Sequence, residues 1–382
     1  MFFFAIFATN YCSVTLGHTN HCIFRGYNMA TIHVFNPDHD MALAFGKANF
    51  TPPAAGKGMR ADLGFLPAFW AADEDIVVVD DVSFATREAE VFKAYLPDVE
   101  FVSLKSLYPS LRKRGMDISN VLPWGWNMAL RLQMLKAGVP KEAMPTLDVL
   151  HDIRLLSHRK ESITMLQDLV DNVPQTVGER FEISSLDRLR EWVDARGQAV
   201  IKAPWSGSGR GVRFVLTGLD AKLEGFVRNI LVRQCSIIVE PYYHCVADFA
   251  MEFVSDGRGH VEYVGLSVFD TLHGAYTGNL LASEDVKQQR ITAFVPKDVL
   301  LLTRSMLQSR LGAMCDGIYE GPIGVDMMVV CVDGKNFLHP CVEVNLRRTM
   351  GHVALSIAKR THGDFSIMRV AFVDGIHRLL LE

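Results

Sequence analysis

Short apolar runs, each closed by a turn signal, set the rhythm of the first third of the chain. Thr31–Phe35 is apolar and stops at Asn36-Pro37, Ile76–Val79 stops at Asp80-Asp81, and Val99–Val102 is a weaker run of the same kind. Each reads as a buried strand followed by a loop. Helical spacing falls between them, near Leu63–Ala72 and Thr86–Tyr95. Strands alternating with helices predict a parallel α/β layer, whose strand carboxyl ends are the usual place for ligands. Helices follow over Asn127–Ala137 and Ser157–Asp171. The pattern then predicts strands at Phe181–Ile183, Ala199–Lys202, Val212–Leu216, Ile237–Glu240, Asp248–Val254 and His260–Val268, with a helix at Leu186–Ala195. A helix at Lys297–Leu311 precedes a hairpin of Gly324–Val332 and Phe337–Asn345 around Asp333-Gly334. Helices over His352–Arg360 and Asp364–Leu381 are expected to close the chain.

Composition narrows the class. The chain has 382 residues, enough for two or three domains at about 150 residues each. Lys+Arg 39 against Asp+Glu 43 gives a net charge of −4, so the chain as a whole is not a basic nucleic-acid binder. Mean hydropathy is +0.14, yet no apolar run reaches the roughly 18 residues of a membrane-spanning helix. The seven cysteines are irregularly spaced and include no Cys-x-x-Cys. They are expected to be reduced thiols of a cytoplasmic protein, not a disulfide framework or zinc ribbon. At the amino terminus MFFFAIFA is apolar but is not preceded by Lys or Arg, and residues 1–28 show no clear period. They are expected to be an extension, with Met29 the natural start.

Three stretches carry candidate chemistry. In AVIKAPWSGSGRGVRFV a strand presents Lys202, and the loop Ser206-Gly207-Ser208-Gly209-Arg210-Gly211 leads into another strand. Glycines let backbone N–H groups approach phosphate oxygens, and the lysine supplies a compact cation. The loop is neither a Walker motif nor a dinucleotide fingerprint, because no Gly-Lys-Ser/Thr follows and no helix begins there. On its own it also fits an ordinary hairpin loop. In IIVEPYY a strand ends at Glu240 and enters a connection containing Pro241 and Tyr243. An acid and backbone polar groups at such a hinge can read an adenine edge; a surface glutamate ending a strand is the plainer reading. Last, Asp326 lies in an apolar strand, and Glu343 and Asn345, two apart, share one strand face. Two carboxylates and an amide are hard oxygen ligands suited to Mg²⁺, and acids inside apolar strands are costly unless paired or metal-bound.

In their order, the lysine strand and Gly-rich loop, the hinge glutamate, the aspartate and Glu-x-Asn-x-Arg, these motifs resemble the ATP-grasp superfamily of carboxylate–amine or thiol ligases. The resemblance covers roughly residues 150–360. It implies an ATP-grasp fold, mixed α/β and α+β, behind an amino-terminal α/β domain: 29–150 for that domain, 151–235 for a lid, and 236–382 for the central and carboxy-terminal part. It implies that Lys202 holds the α/β-phosphates, that the Ser206, Gly207, Ser208, Gly209 and Gly211 loop covers the β/γ-phosphates, and that Glu240 and Tyr243 flank adenine. By the same resemblance Asp326, Glu343 and Asn345 hold Mg²⁺, with Mn²⁺ as its substitute. Arg347 stabilises charge on the reacting group, in a spacing similar to that of biotin carboxylase and carbamoyl-phosphate synthetase. Arg159 is preferred to Lys160 as the basic residue opening the lid, and Asp248 is the nearest candidate for the ribose. The implied activity is ATP-dependent activation of a carboxylate as an acylphosphate, attacked by an amine or other nucleophile. A kinase acting on a hydroxyl and a non-catalytic nucleotide-binding protein are the alternatives.

Other residues stand outside that pattern. His39 and Asp40, in the loop after the first strand, are candidate substrate contacts, against the plainer reading of an Asn-Pro turn capping a helix. Trp124 and Trp126 read as core. His273, Tyr276 and Asn279 lie in a polar stretch, 270–283, expected to be a long loop lining an acceptor site. Arg348 reads as pairing with a neighbouring acid. The expected partners are a small-molecule carboxylate and a nucleophile, without nucleic acid or membrane; a homodimer is compatible with the sequence.

Overall fold

The computed structural model describes residues 28–207, 209, 211–272 and 275–382. Residues 1–27 of the expected extension, Ser208 and His273 therefore lie outside the described residues, as does the side chain of Tyr276, whereas Asn28 belongs to the first strand.

The first layer is a parallel sheet of β1 (Asn28–Val34), β2 (Ile76–Val79), β3 (Glu100–Ser103) and β4 (Met116–Pro123), in the order β3-β2-β1-β4. Helices α1 (His39–Phe45), α2 (Ala54–Asp62), α3 (Val82–Glu90), α4 (Leu107–Arg114) and α5 (Met128–Lys136) connect and follow these strands. The IVVV run shows no alternation because both faces are buried. Ile76 and Val78 enter one apolar cluster, while Val77 and Val79 enter another with Phe65, Phe69 and Phe92. Trp124 and Trp126 are buried as expected.

Helices α6 (Leu147–Leu156) and α7 (Ile163–Asn172), separated by a 3₁₀ turn at Arg159–Ser162, lead to a small antiparallel sheet. Its strands β5 (Phe181–Ile183), β6 (Ala199–Lys202), β7 (Val212–Val215) and β8 (Ile237–Pro241) run in the order β5-β8-β6-β7. Helices α8 (Leu186–Arg196) and α9 (Ala221–Gln234) cover one face and form its core with Ala199, Ile201, Ile237 and Val239. Period-2 alternation then sends Lys202 and Glu240 to the opposite face.

The third sheet has seven strands in the order β13-β12-β9-β10-β11-β14-β15. These are β9 (His244–Asp256), β10 (Val261–Leu272), β11 (Ala275–Leu280), β12 (Glu320–Val332), β13 (Lys335–Asn345), β14 (Ile367–Val373) and β15 (Ile376–Leu381). All pair antiparallel. Helices α10 (Glu284–Thr292) and α11 (Lys297–Cys315) precede β12, and α12 (Met350–Thr361) follows β13. Arg360 on α12 donates to Phe69 O and Ala71 O at 2.7 Å, tying this sheet to the first layer. Among the described residues no helix is long and apolar enough to cross a membrane.

The mixed class, with a parallel layer first and antiparallel sheets after it, is the one the sequence predicts. Several elements differ. Asp364–Leu381 is a hairpin, not a helix: Asp374 and Gly375 both have positive φ, 52° and 80°, as a tight hairpin turn requires. The expected helix at Leu63–Ala72 is only a 3₁₀ turn, Leu66–Phe69, opened by Pro67, and the α-helix lies earlier, at Ala54–Asp62. The expected loop at 270–283 is largely strand, the end of β10 returning through β11.

Candidate active site

Lys202 and Glu240 meet on the face of the small sheet away from its helices. Lys202 Nζ lies 2.6 Å from Glu240 Oε2 and donates to Val342 O at 3.2 Å. Arg180, whose side chain is wholly buried, donates from Nε to Glu240 Oε1 at 2.6 Å and from Nη2 to Cys341 O and Val342 O. Burial works against charge on Glu240, but Arg180 and Lys202 hold its carboxyl down at about 2. Burial lowers Lys202, and neighbouring Arg180 adds to this while Glu240 opposes it. Two cations thus share one carboxylate, leaving surplus positive charge at the junction of the small sheet and β13. Each Glu240 oxygen accepts from one of these cations, so the carboxylate serves as their counter-ion.

Arg159 holds the start of the Gly-rich loop. Arg159 donates from Nη1 to Ala203 O and Ser206 Oγ, and from Nη2 to Ser206 O at 2.9 Å and Glu343 Oε1 at 2.6 Å. It is buried, while Lys160 is exposed, so the structure brings Arg159 into the site and leaves Lys160 outside. Two glycines are demanded by close approach. A Cβ on Gly207 would lie 2.2 Å from Asp40 Oδ2, and one on Gly211 would lie 2.1 Å from Ser206 Oγ. Gly209 has φ of 68°. Gly211→Ala is expected to push Ser206 off Arg159 and to destabilise the protein by about 1–3 kcal/mol, the usual cost of overpacking. A melting curve reads this, and an unchanged midpoint would show that the loop yields freely.

Asp40 reaches the site from the start of α1. Arg347 Nε donates to both its carboxylate oxygens at 3.1 Å, and Arg347 Nη2 lies 3.0 Å from Oδ2. Burial opposes the charge of Asp40, yet the Arg347 guanidinium keeps its carboxyl below the usual range. His39 belongs to the packing instead. It is 1% exposed, with Nδ1 3.3 Å from Asn127 Nδ2, and burial lowers its imidazole to about 4.

The acidic group sits on β12 and β13, where Asp326 is paired in register with Glu343. Asn345 Nδ2 donates to Asp326 Oδ2 at 3.2 Å. Burial raises Asp326, and the charges of Glu343 and Glu252 raise it further. The charged form of Asp326 is therefore costly, which a divalent cation would relieve, while Glu343 is already paired with Arg159. Among the described residues no three His, Cys, Asp or Glu side chains gather into a metal-holding group. The protein's donors are two carboxylates and the Asn345 amide, a set that fits a cation whose other ligands are water or phosphate oxygens.

Sequence reasoning missed Arg180, Glu252 and His339. Glu252 is 1% exposed and lies 2.8 Å from His352 Nδ1; it sits inside an apolar strand, the signal that singled out Asp326. His339 is fully buried, two strand steps before Glu343 on the same face, and neither ring nitrogen has a hydrogen-bond partner. Burial pushes it down to about 3, so it is neutral. Tyr243 packs edge-on against it at 5.9 Å, and burial, with the charges of Glu179 and Glu240, raises the Tyr243 phenol to about 12. Asp248 lies near the start of β9, where the Cys245 thiol donates to it at 3.5 Å. Asn279 is 1% exposed and donates to Ser267 Oγ at 2.7 Å within the sheet, away from any loop. Arg348 lies over the Trp70 ring, 4.4 Å from its centroid, instead of pairing with an acid.

No family model matches the chain, and no curated protein matches its sequence. Solved structures do resemble it in shape. N5-carboxyaminoimidazole synthetase from Staphylococcus aureus, complexed with ADP, is 12% identical, with 91% of this chain and 83% of that one covered at a TM-score of 0.49. Biotin carboxylase from Campylobacter jejuni, in a β,γ-ATP complex, is 13% identical over 92% of this chain and 74% of that one, at 0.48. L-amino acid ligase from Bacillus licheniformis is 14% identical over 86% and 69%, at 0.44. Likeness at these scores leaves the function to be read from the site itself.

Proposed function

We propose that the chain is an ATP- and Mg²⁺-dependent ligase of the ATP-grasp kind, which converts a substrate carboxylate to an acylphosphate and passes the acyl group to an amine or other nucleophile. One observation carries the reading. Two buried cations on one acid, Lys202 and Arg180 sharing Glu240, stand against a pair of acids in register, Asp326 beside Glu343. A nucleotide's phosphates satisfy the first and a divalent cation the second.

In this reading Lys202 neutralises phosphate charge, and the Ser206–Gly211 loop presents backbone N–H groups to the terminal phosphates. Arg159, held by that loop and by Glu343, adds a second cation where the phosphoryl group leaves. Asp326, Glu343 and Asn345 would hold Mg²⁺, which screens the phosphate oxygens when bound. Tyr243 and neutral His339 bound the end of the cleft that takes the base, and Asp248 lies beyond the hinge on the ribose side. Arg347, fixed by Asp40, faces the acyl oxygen on which charge develops. Positioning and charge neutralisation supply the catalysis; no protein nucleophile is needed. The domain limits 29–150, 151–235 and 236–382, and a cytoplasmic location, belong to the same proposal.

Positional isotope exchange in ATP tests this with candidate carboxylates. Carboxylate-dependent scrambling of the β,γ-bridging oxygen is expected. ADP and a stable phosphoester from a hydroxyl compound, without carboxylate-dependent exchange, would replace the ligase with a kinase.

A further inference from the structure

A groove of about 470 Å³ lies where the end of α6, the 3₁₀ turn, the end of β5 and the end of α9 meet, within the range of small-molecule sites, roughly 300–1,000 Å³. Three cations line it, Arg154, Lys160 and Arg233, against one acid, Glu182. Lys160 and Arg233 are exposed, and among the described residues none of the three cations pairs with an acid. The Arg154 guanidinium lies over the Trp205 ring, 4.0 Å from its centroid, and donates from Nε to Leu43 O at 2.7 Å. His158, 6% exposed, is a buried polar group on the same lining. Burial lowers its imidazole to about 4, opposed by Glu182 and helped by Lys160, Arg154 and Arg159, so the ring is neutral. Its Nδ1 accepts from Lys160 N–H at 3.1 Å, which puts the ring proton on Nε2. That N–H has Ser236 Oγ at 3.5 Å and Glu182 Oε1 at 3.9 Å, both too far for a strong hydrogen bond. The groove thus joins three uncompensated cations to a buried donor that a ligand oxygen would satisfy better.

We propose that this groove binds a compact polyanion, a small molecule carrying two or more negative charges on phosphate or carboxylate groups. Three cations against one acid leave the lining two positive charges in excess. A monoanion compensates half of that excess and a dianion balances it. Guanidinium forks suit phosphate and carboxylate oxygens alike, and Lys160 adds a point charge. His158 Nε2–H and the Ser184 and Ser236 hydroxyls supply uncharged donors for the remaining oxygens. The site is separate from the proposed phosphoryl-transfer site, since Lys202, Asp326 and Glu343 do not line it. It is nevertheless a neighbour. His158 precedes Arg159, Trp205 precedes Ser206, and Arg159 Nη1 donates to Ser206 Oγ at 2.9 Å. The proposal does not rest on the ligase reading.

Calorimetric titration of the full chain, without Mg²⁺, tests this with three probes: pyrophosphate, citrate and acetate. At least one of the two polyanions is expected to bind about tenfold or more tighter than acetate, and the tighter of them shows whether phosphate or carboxylate oxygens suit the groove. Lys160→Gln with Arg233→Gln removes two charges at exposed positions and is expected to weaken that probe by about tenfold or more. Ser184→Trp, also at an exposed position, fills the groove without changing charge and should weaken it as well; it stands alone if the double variant does not fold. Acetate binding as tightly as both polyanions, or no polyanion binding, overturns the assignment. So does an affinity left untouched by either variant: loss in the double variant alone is long-range attraction, and loss in Ser184→Trp alone leaves the cations without a part. Lys202→Ala separates this proposal from the ligase reading, because it is expected to lose ATP affinity and keep the probe's. If it loses the probe as the groove variants do, the probe sits on the Lys202 wall and the second site falls. If it keeps both affinities, the ligase reading falls and the groove stands.

Discussion

Glu343→Gln is expected to bind ATP almost as tightly as the native protein but to turn over at least about a hundredfold more slowly, or about 2.7 kcal/mol in barrier. The substitution keeps size and shape and removes one negative charge. Lys202, the Gly-rich loop and the hinge remain to hold the nucleotide. What is lost is half of the carboxylate pair that faces in register across β12 and β13 and the charge that pairs with Arg159 Nη2 at 2.6 Å. Both lie where charge moves during phosphoryl transfer. Positional isotope exchange undiminished in Glu343→Gln would remove this residue from the catalytic machinery.

Arg180→Met should destabilise the fold by about 3–5 kcal/mol, the cost of stranding one partner of a buried ion pair. The guanidinium is wholly buried and donates to Glu240, Ser162, Cys341 O and Val342 O. It thereby links the 3₁₀ turn before α7, the small sheet and β13. Methionine fills much of the volume but leaves Glu240 with Lys202 alone. Denaturant unfolding measures the loss. If Arg180→Met together with Glu240→Gln recovers most of it, the stranded carboxylate is the cause; if the double variant is no better, the lost carbonyl contacts dominate.

What could be read from the sequence divides along physical lines. Two strands of the small sheet were legible as short runs, Phe181–Ile183 and Ala199–Lys202, the latter running into a Gly/Ser loop, and both ranges stand as predicted. Lys202, Arg159, Asp326, Glu343, Asn345 and Arg347 were picked out; Arg159 meets Glu343, which lies in register with Asp326, Asn345 donates to Asp326, Lys202 donates to the neighbouring Val342 O, and the charges of Glu343 and Asp326 act on Arg347. The parts not legible were those set by tertiary partners. Arg180 precedes β5 in an irregular segment, and only the fold shows that it reaches Glu240. Glu240 looked like a free hinge acid because its two cations come from residues 38 and 60 positions away. The closing hairpin was legible in principle. Asp374-Gly375 repeats the Asp333-Gly334 cue that marked the β12–β13 hairpin, and both pairs have positive φ; the apolar run IHRLLL masked it by also fitting a helix.

The proposed function stands on the Lys202 wall taking a nucleotide's phosphates and on Asp326 and Glu343, which would hold a divalent cation. Titration calorimetry of ATP into the full chain, with and without Mg²⁺, measures this most directly. The account predicts one saturable site, tightened by Mg²⁺, whose affinity falls by about 1.5–3 kcal/mol in Lys202→Ala, the worth of a hydrogen bond to a charged group. Equal affinity in the native protein and Lys202→Ala, or no ATP binding at all, would contradict it.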